Sequence, residues 1–92
     1  MKMNSESKNQ GTRVAILAIV IENPDSVEKL NAILHEGSKY IIGRMGVPYE
    51  KKKISLMSIM MDGPADVISS MSGKIGQLQG VTAKAVYSKL PM

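Results

Sequence analysis

The chain has 92 residues, a net charge of +4, 43% hydrophobic residues and no cysteine. This describes one small domain, burying about 60% of the surface its unfolded chain exposes, and it excludes disulfides, thiolate zinc sites, iron–sulfur clusters and thiol nucleophiles together. One histidine, His35, supplies no histidine-rich metal set, and eight methionines with no Phe or Trp leave methionine to fill the gaps that aromatics fill elsewhere.

Residues 1–12, MKMNSESKNQGT, are polar and aperiodic, and read as a disordered tail ahead of a single domain spanning 13–92. The first strand is RVAILAIVI, 13–21, rich in Val and Ile and bounded by Asn-Pro. Its apolar run is too short to cross a membrane and lacks a cleavage site, so the expected location is the cytoplasm. Pro24 suits the first turn of a helix, with Asp25 and Glu28 near its positive end. Val27, Leu30, Ile33 and Leu34 make the apolar stripe of that helix to about Glu36, where Gly37 is placed to end it. A second strand, YIIGRMGV at 40–47, leads through Pro48 and the polar tip YEKKK to a third, ISLMSIMM at 54–61. Pro64 opens a second helix, with Asp66 in its first turn and Ile68, Met71, Ile75 and Leu78 at helical spacing. VTAKAVYS, 81–88, is the last strand.

The order β-α-β-β-α-β is the ferredoxin-like plan: an α+β sandwich with a four-stranded antiparallel sheet and two helices on one face. Strands one and three are expected at the centre, because the other two carry Gly43, Arg44, Gly46, Lys84 and Ser88, as edges tend to. Both central strands are apolar on both parities, yet helices cover only one face. A second copy of the chain is the simplest cover for the other, giving a homo-oligomer, dimer or tetramer. Ile16, Leu17 and Ile19 of the first strand and Leu56, Met57 and Ile59 of the third are the expected interface residues.

SGKIGQLQGV, 72–81, sets glycines beside a lysine. A Walker loop needs Gly-x-x-x-x-Gly-Lys-Ser/Thr after a strand. Here Ile75 follows Gly73-Lys74, and the stretch precedes a strand, at the negative end of a helix dipole. The structural reading is that Gly73 and Gly76 allow close helix approach while Gly80 stops the helix. The loop after strand one, ENPDS, lacks the arginine that an acylphosphatase requires there. Strands one and three have none of the aromatics on which RNA-binding domains of this plan stack bases. The lysines at 51–53 form a hairpin tip rather than a coherent basic face. His35 lies beside the apolar stripe and reads as a surface residue. Arg44, between glycines, is either an anion clamp or part of a bulged, solvated edge. Asn23 and Asp25 read first as helix-start residues.

LH at 34–35, YIIGRMGVP at 40–48, SGKIGQLQGV at 72–81 and AKAVYSK at 83–89 resemble the family of putative iron-only hydrogenase system regulators over residues 13–89. The resemblance implies an ACT-like domain that pairs through its sheets, cytoplasmic and bacterial, grouped with transcription regulators. Its pattern falls on His35, Gly43, Arg44, Met45, Gly46, Gly73, Lys74, Gly76 and Gly80. The functional expectation is a non-enzymatic regulatory module without cofactor, metal or catalytic residues. It would sense a small ligand through Asn23, Asp25, His35, Gly43, Arg44, Met45, Gly46 and Lys74. The alternatives are a transcriptional regulator gripping DNA through Lys51, Lys52, Lys53 and Arg44, and a small acylphosphatase-like hydrolase using Arg44.

Overall fold

Alternation along the first strand sorts the molecule into two sides. In the computed structural model, which describes residues 12–89, β1 (Thr12–Ile21) buries Ala15, Leu17, Ile19 and Ile21, while Ile16 and Ala18 are exposed. A short 3-10 turn, Pro24–Ser26, leads into α1 (Val27–Glu36), and a second, Ser38–Tyr40, leads into β2 (Ile41–Tyr49). Then follow β3 (Ile54–Pro64), α2 (Ala65–Gly76) and β4 (Val81–Tyr87). The sheet order is β2-β3-β1-β4, antiparallel throughout, with the two most apolar strands central as expected. The tail expected at 1–12 lies outside the described residues except Thr12, which opens β1.

The core is a single cluster. Ala15, Leu17, Ile19 and Ile21 of β1 meet Ile59 and Met61 of β3, Leu30 and Leu34 of α1, and Ile68, Met71 and Ile75 of α2. Burying each of the larger side chains is worth about 1.5–3 kcal/mol. Both helices therefore lie on one face. Leu17 pairs with Ile59 and Ala85 in the sheet, and Ile16 with Met60 and Val86, so a given row of the sheet points one way across three strands.

The expected interface set is corrected by this register. Leu17 and Ile59 are fully buried and Ile19 is 2% exposed, all beneath the helices. Met57 shares their side and packs against that core. Only Ile16 and Leu56 of the six face away from the helices. With apolar residues on both parities, either side could have carried the helices; only the register and crossovers assign it.

Glycine placement brings a second correction. A Cβ on Gly73 or Gly76 would meet nothing within 4 Å, so neither residue serves close helix packing. Helix α2 ends at Gly76, and Leu78, expected on its buried face, sits in the following turn, half-buried against the core. Gly80 does require glycine: φ is +71° and a Cβ would fall 2.6 Å from that of Asn23. That approach knits the two crossovers together. The Glu22 amide donates to the Gly80 carbonyl at 2.7 Å and the buried Ser26 hydroxyl donates to the Gln79 carbonyl at 2.6 Å. At the opposite end of β1, Arg13 donates to the Ser88 carbonyl and lies 5.4 Å from the Tyr87 ring centroid.

Urea unfolding should separate the two kinds of glycine. Gly73→Ala should stabilise by about 0.5–1 kcal/mol through helix propensity. Gly80→Ala should destabilise by about 1 kcal/mol or more, because an alanine there is both left-handed and too close to Asn23.

Candidate functional site

The helix-free face of the sheet presents an apolar surface in rows set by the ladders. One row holds Gly43, Met60, Ile16 and Val86, the next Met45, Ser58, Ala18 and Lys84, and the next Val47, Leu56, Val20 and Thr82. Tyr49 and Ile54 pair beyond them, at the hairpin end. Ile16 is 44% exposed, Met45 63%, Val47 48%, Leu56 42% and Val86 64%. Ala18 and Ser58 are small, so the middle row sinks into a hollow of about 220 Å³ walled by Met45, Val47, Val20 and Leu56. The exposed charged residues on this face, Asp62 on β3 and Lys84 on β4, lie off its centre, which is uncharged.

The residues expected to bind a ligand are not gathered in one place. The Asn23 side chain accepts from the Asp25 amide at 2.9 Å, so this pair starts the 3-10 turn. His35 is exposed in the last turn of α1. In β2, Gly43 and Met45 share the helix-free face, while Arg44 and Gly46 pair with Ile59 and Met57 of the other side. Arg44 donates to the Asn31 side chain at 3.5 Å and its guanidinium lies 4.0 Å from the Met57 sulfur. The ladder slips between Ile41 and Gly43, so the strand entering GRMG is bulged. Gly43 makes room for the Met60 methyl, which would lie 3.3 Å from a Cβ there. The lysines at 51–53 form the β2–β3 tip. Five residues of strand, about 17 Å at ~3.4 Å per residue, separate Arg44 from Tyr49, before that tip begins.

Lys74 alone of the expected set lines a larger cavity, on the helix side. A groove of about 350 Å³ runs between α1 and α2, lined by Ile33 and Glu36 of α1, Asp66, Val67, Ser70, Met71 and Lys74 of α2, and by Gly37 and Tyr40. Gly37 ends α1 in ordinary right-handed geometry, with φ at −100°. The Met71 methyl, the end of a flexible side chain, fills the space a Cβ would take there. Tyr40 reaches the groove because Gly63 has no side chain; a Cβ would come within 2.7 Å of the ring. Neither contact has a signature in spacing or periodicity, so the groove was invisible in the sequence. Among the described residues no group of three or more His, Asp or Glu side chains could hold a metal ion.

A family model described as "Iron-only hydrogenase system regulator, putative" (TM1266-like) matches residues 13–85. Among solved structures, the protein TM1266 from Thermotoga maritima is 32% identical, with a TM-score of 0.81, over 85% of this chain and 99% of that one. The C-terminal domain of the MgtC protein from Mycobacterium tuberculosis aligns with a TM-score of 0.62 at 11% identity, over 92% of this chain and 97% of that one. A formyltetrahydrofolate deformylase from Pseudomonas putida KT2440 aligns over 79% of this chain and 28% of its own length, with a TM-score of 0.59 at 10% identity. These last two share the fold alone. No curated protein matches the sequence.

Arg44 is exposed and its bond to Asn31 is long, so Arg44→Ala should change unfolding stability by no more than about 0.5 kcal/mol. A loss of about 2 kcal/mol or more in denaturant titration would show instead that the guanidinium holds β2 against α1.

Proposed function

The chain belongs to the TM1266-like family of iron-only hydrogenase system regulators, and we propose that it acts there as a non-enzymatic regulatory module, a homo-oligomer paired through its sheets that responds to a small ligand. The observation that carries the pairing is the helix-free face. The four strands, 7 to 11 residues long and about 4.8 Å apart, project on the order of 500 Å². An apolar patch of that size marks an association surface on a soluble domain.

A second copy fits this face better than an unrelated partner. The surface has a raised row containing Ile16 and Met60, a sunken row at Ala18 and Ser58, and a raised row containing Val20 and Leu56. A ridge of one copy can enter the furrow of another. The charges at Asp62 and Lys84 are opposite in sign, so an isologous arrangement can place them near one another rather than against their like. Pairing of this kind buries the central apolar side chains and leaves the helix layer outward, free to meet a ligand. A regulator needs no reacting groups of its own, and the cytoplasm is the compartment we assign to it.

Light scattering and sedimentation of the full chain test the pairing. The wild-type protein should be dimeric or larger. Leu56→Asp should weaken association by about 30-fold or more, the loss of a hot-spot contact of ~2 kcal/mol. Ala18→Arg, which fills the hollow, should do the same, with the helical circular dichroism of both variants retained. A wild-type monomer at high concentration, or two variants that associate as the wild type does, would refute the pairing.

A further inference from the structure

The chain contains no cysteine, so thioether is the only sulfur it offers to an oxidant. Among the described residues the methionines are Met45, Met57, Met60, Met61 and Met71. Met61 and Met71 are buried in the core, and Met57 packs against that core. Met60 is half-buried, its methyl settled beside Gly43 of β2. Met45 alone of the five is exposed, at 63%. It stands on the helix-free face, on an edge strand, opposite Ser58 in the sunken row. With Val20, Val47 and Leu56 it walls the hollow there.

We propose that Met45 is a site of reversible oxidation by hydrogen peroxide, and that its sulfoxide releases the paired sheets. The thioether sulfur attacks one peroxide oxygen and the O–O bond breaks. That oxygen stays on sulfur, its proton passes to the departing hydroxide, and water leaves. Sulfur loses the two electrons that the peroxide gains. Reduction by two thiols returns the thioether, with water and a disulfide as the other products.

Position gives the reaction both its selectivity and its effect. Oxidation of a thioether follows its exposure, and β2 lies at the rim of the paired surface, where a small oxidant has access. The product is a polar group in place of a flexible apolar one. Val20, Val47 and Leu56 offer the new oxygen no donor, and an acceptor buried without one is costly. The Ser58 hydroxyl is a donor, but an oxygen drawn to it fills the furrow that a partner's ridge enters. Pairing loses in either case. The core and both helices lie on the other face, so the fold of the single chain is kept. The inference rests on the sheet pairing and adds the chemical signal that undoes it.

Sedimentation and peptide mass mapping of the full chain, before and after millimolar hydrogen peroxide, test it. In the wild type Met45 should gain an oxygen ahead of Met57 and Met60. Association should then weaken by about tenfold or more, ~1.4 kcal/mol, with the helical circular dichroism retained. Methionine sulfoxide reductases with dithiothreitol should restore it. Met45→Gln, polar and of similar length, should weaken pairing without peroxide. Met45→Leu should keep its own association constant, whatever its value, through the same treatment, while Met60→Leu responds as the wild type does. Three results would overturn the assignment: Met57 or Met60 oxidised ahead of Met45, a pair that persists with Met45 fully oxidised, or a Met45→Leu chain that peroxide dissociates as readily as the wild type. A wild-type chain that is monomeric before any peroxide refutes the pairing and this inference together, whereas a pair that survives oxidation refutes this inference alone.

Discussion

A sheet with two apolar faces and only enough chain for two helices is the constraint from which the rest of this molecule follows. The helices take the side of Leu17, Ile19, Ile59 and Met61, where exposure falls to 2% or less. The opposite side keeps Ile16, Met45, Val47, Leu56 and Val86 in contact with solvent. In a domain this small the hydrophobic gain from one buried face is already set against the conformational entropy of ordering the chain. Apolar side chains on the second face stay only partly covered within the single chain, and the pairing proposed above rests on that.

The loops are tied by close approach rather than by long polar networks. Gly80 against Asn23, Gly63 against the Tyr40 ring and Gly37 against Met71 each bring backbone to within the radius of a missing Cβ. The first of these locks the exit of α2 to the entry of α1, helped by the Ser26 hydroxyl on the Gln79 carbonyl. The other two shape the groove between the helices. Methionine suits this economy: Met71 and Met60 both end in flexible methyls that occupy space left open by glycine. The consequence is a helix layer that is well seated on the sheet yet parted along its outer side.

The architecture was legible because three of its determinants are local. Val- and Ile-rich runs bounded by Asn-Pro and Asp-Gly-Pro mark the strands, prolines mark both crossover starts, and the polar tip at 50–53 marks the hairpin. The glycine-rich stretch at 72–81 was also readable as a helix end, because its position before a strand is a matter of order. Its details were not. Gly73 and Gly76 suggested packing in the sequence, but they face open space, since residue type does not disclose which side of a helix has a neighbour. The candidate site was the least legible part. Asn23 and Asp25 are engaged in a turn, His35 stands on the helix surface, and Arg44 and Met45 point to opposite sides of β2. Of the residues named, Lys74 alone belongs to the helix groove.

By itself the sequence determined the element order, the central strands and the existence of a second apolar face, because each follows from patterns that span a few residues. Which parity the helices cover was decided only in three dimensions, by the antiparallel register and the hand of the crossovers, so Leu17, Ile19 and Ile59 went to the core and Ile16 and Leu56 to the open side. The groove also exists only in the folded chain. It depends on side chains from α1, α2 and the Tyr40 turn arriving at one place, and no spacing along a single segment encodes a meeting of three.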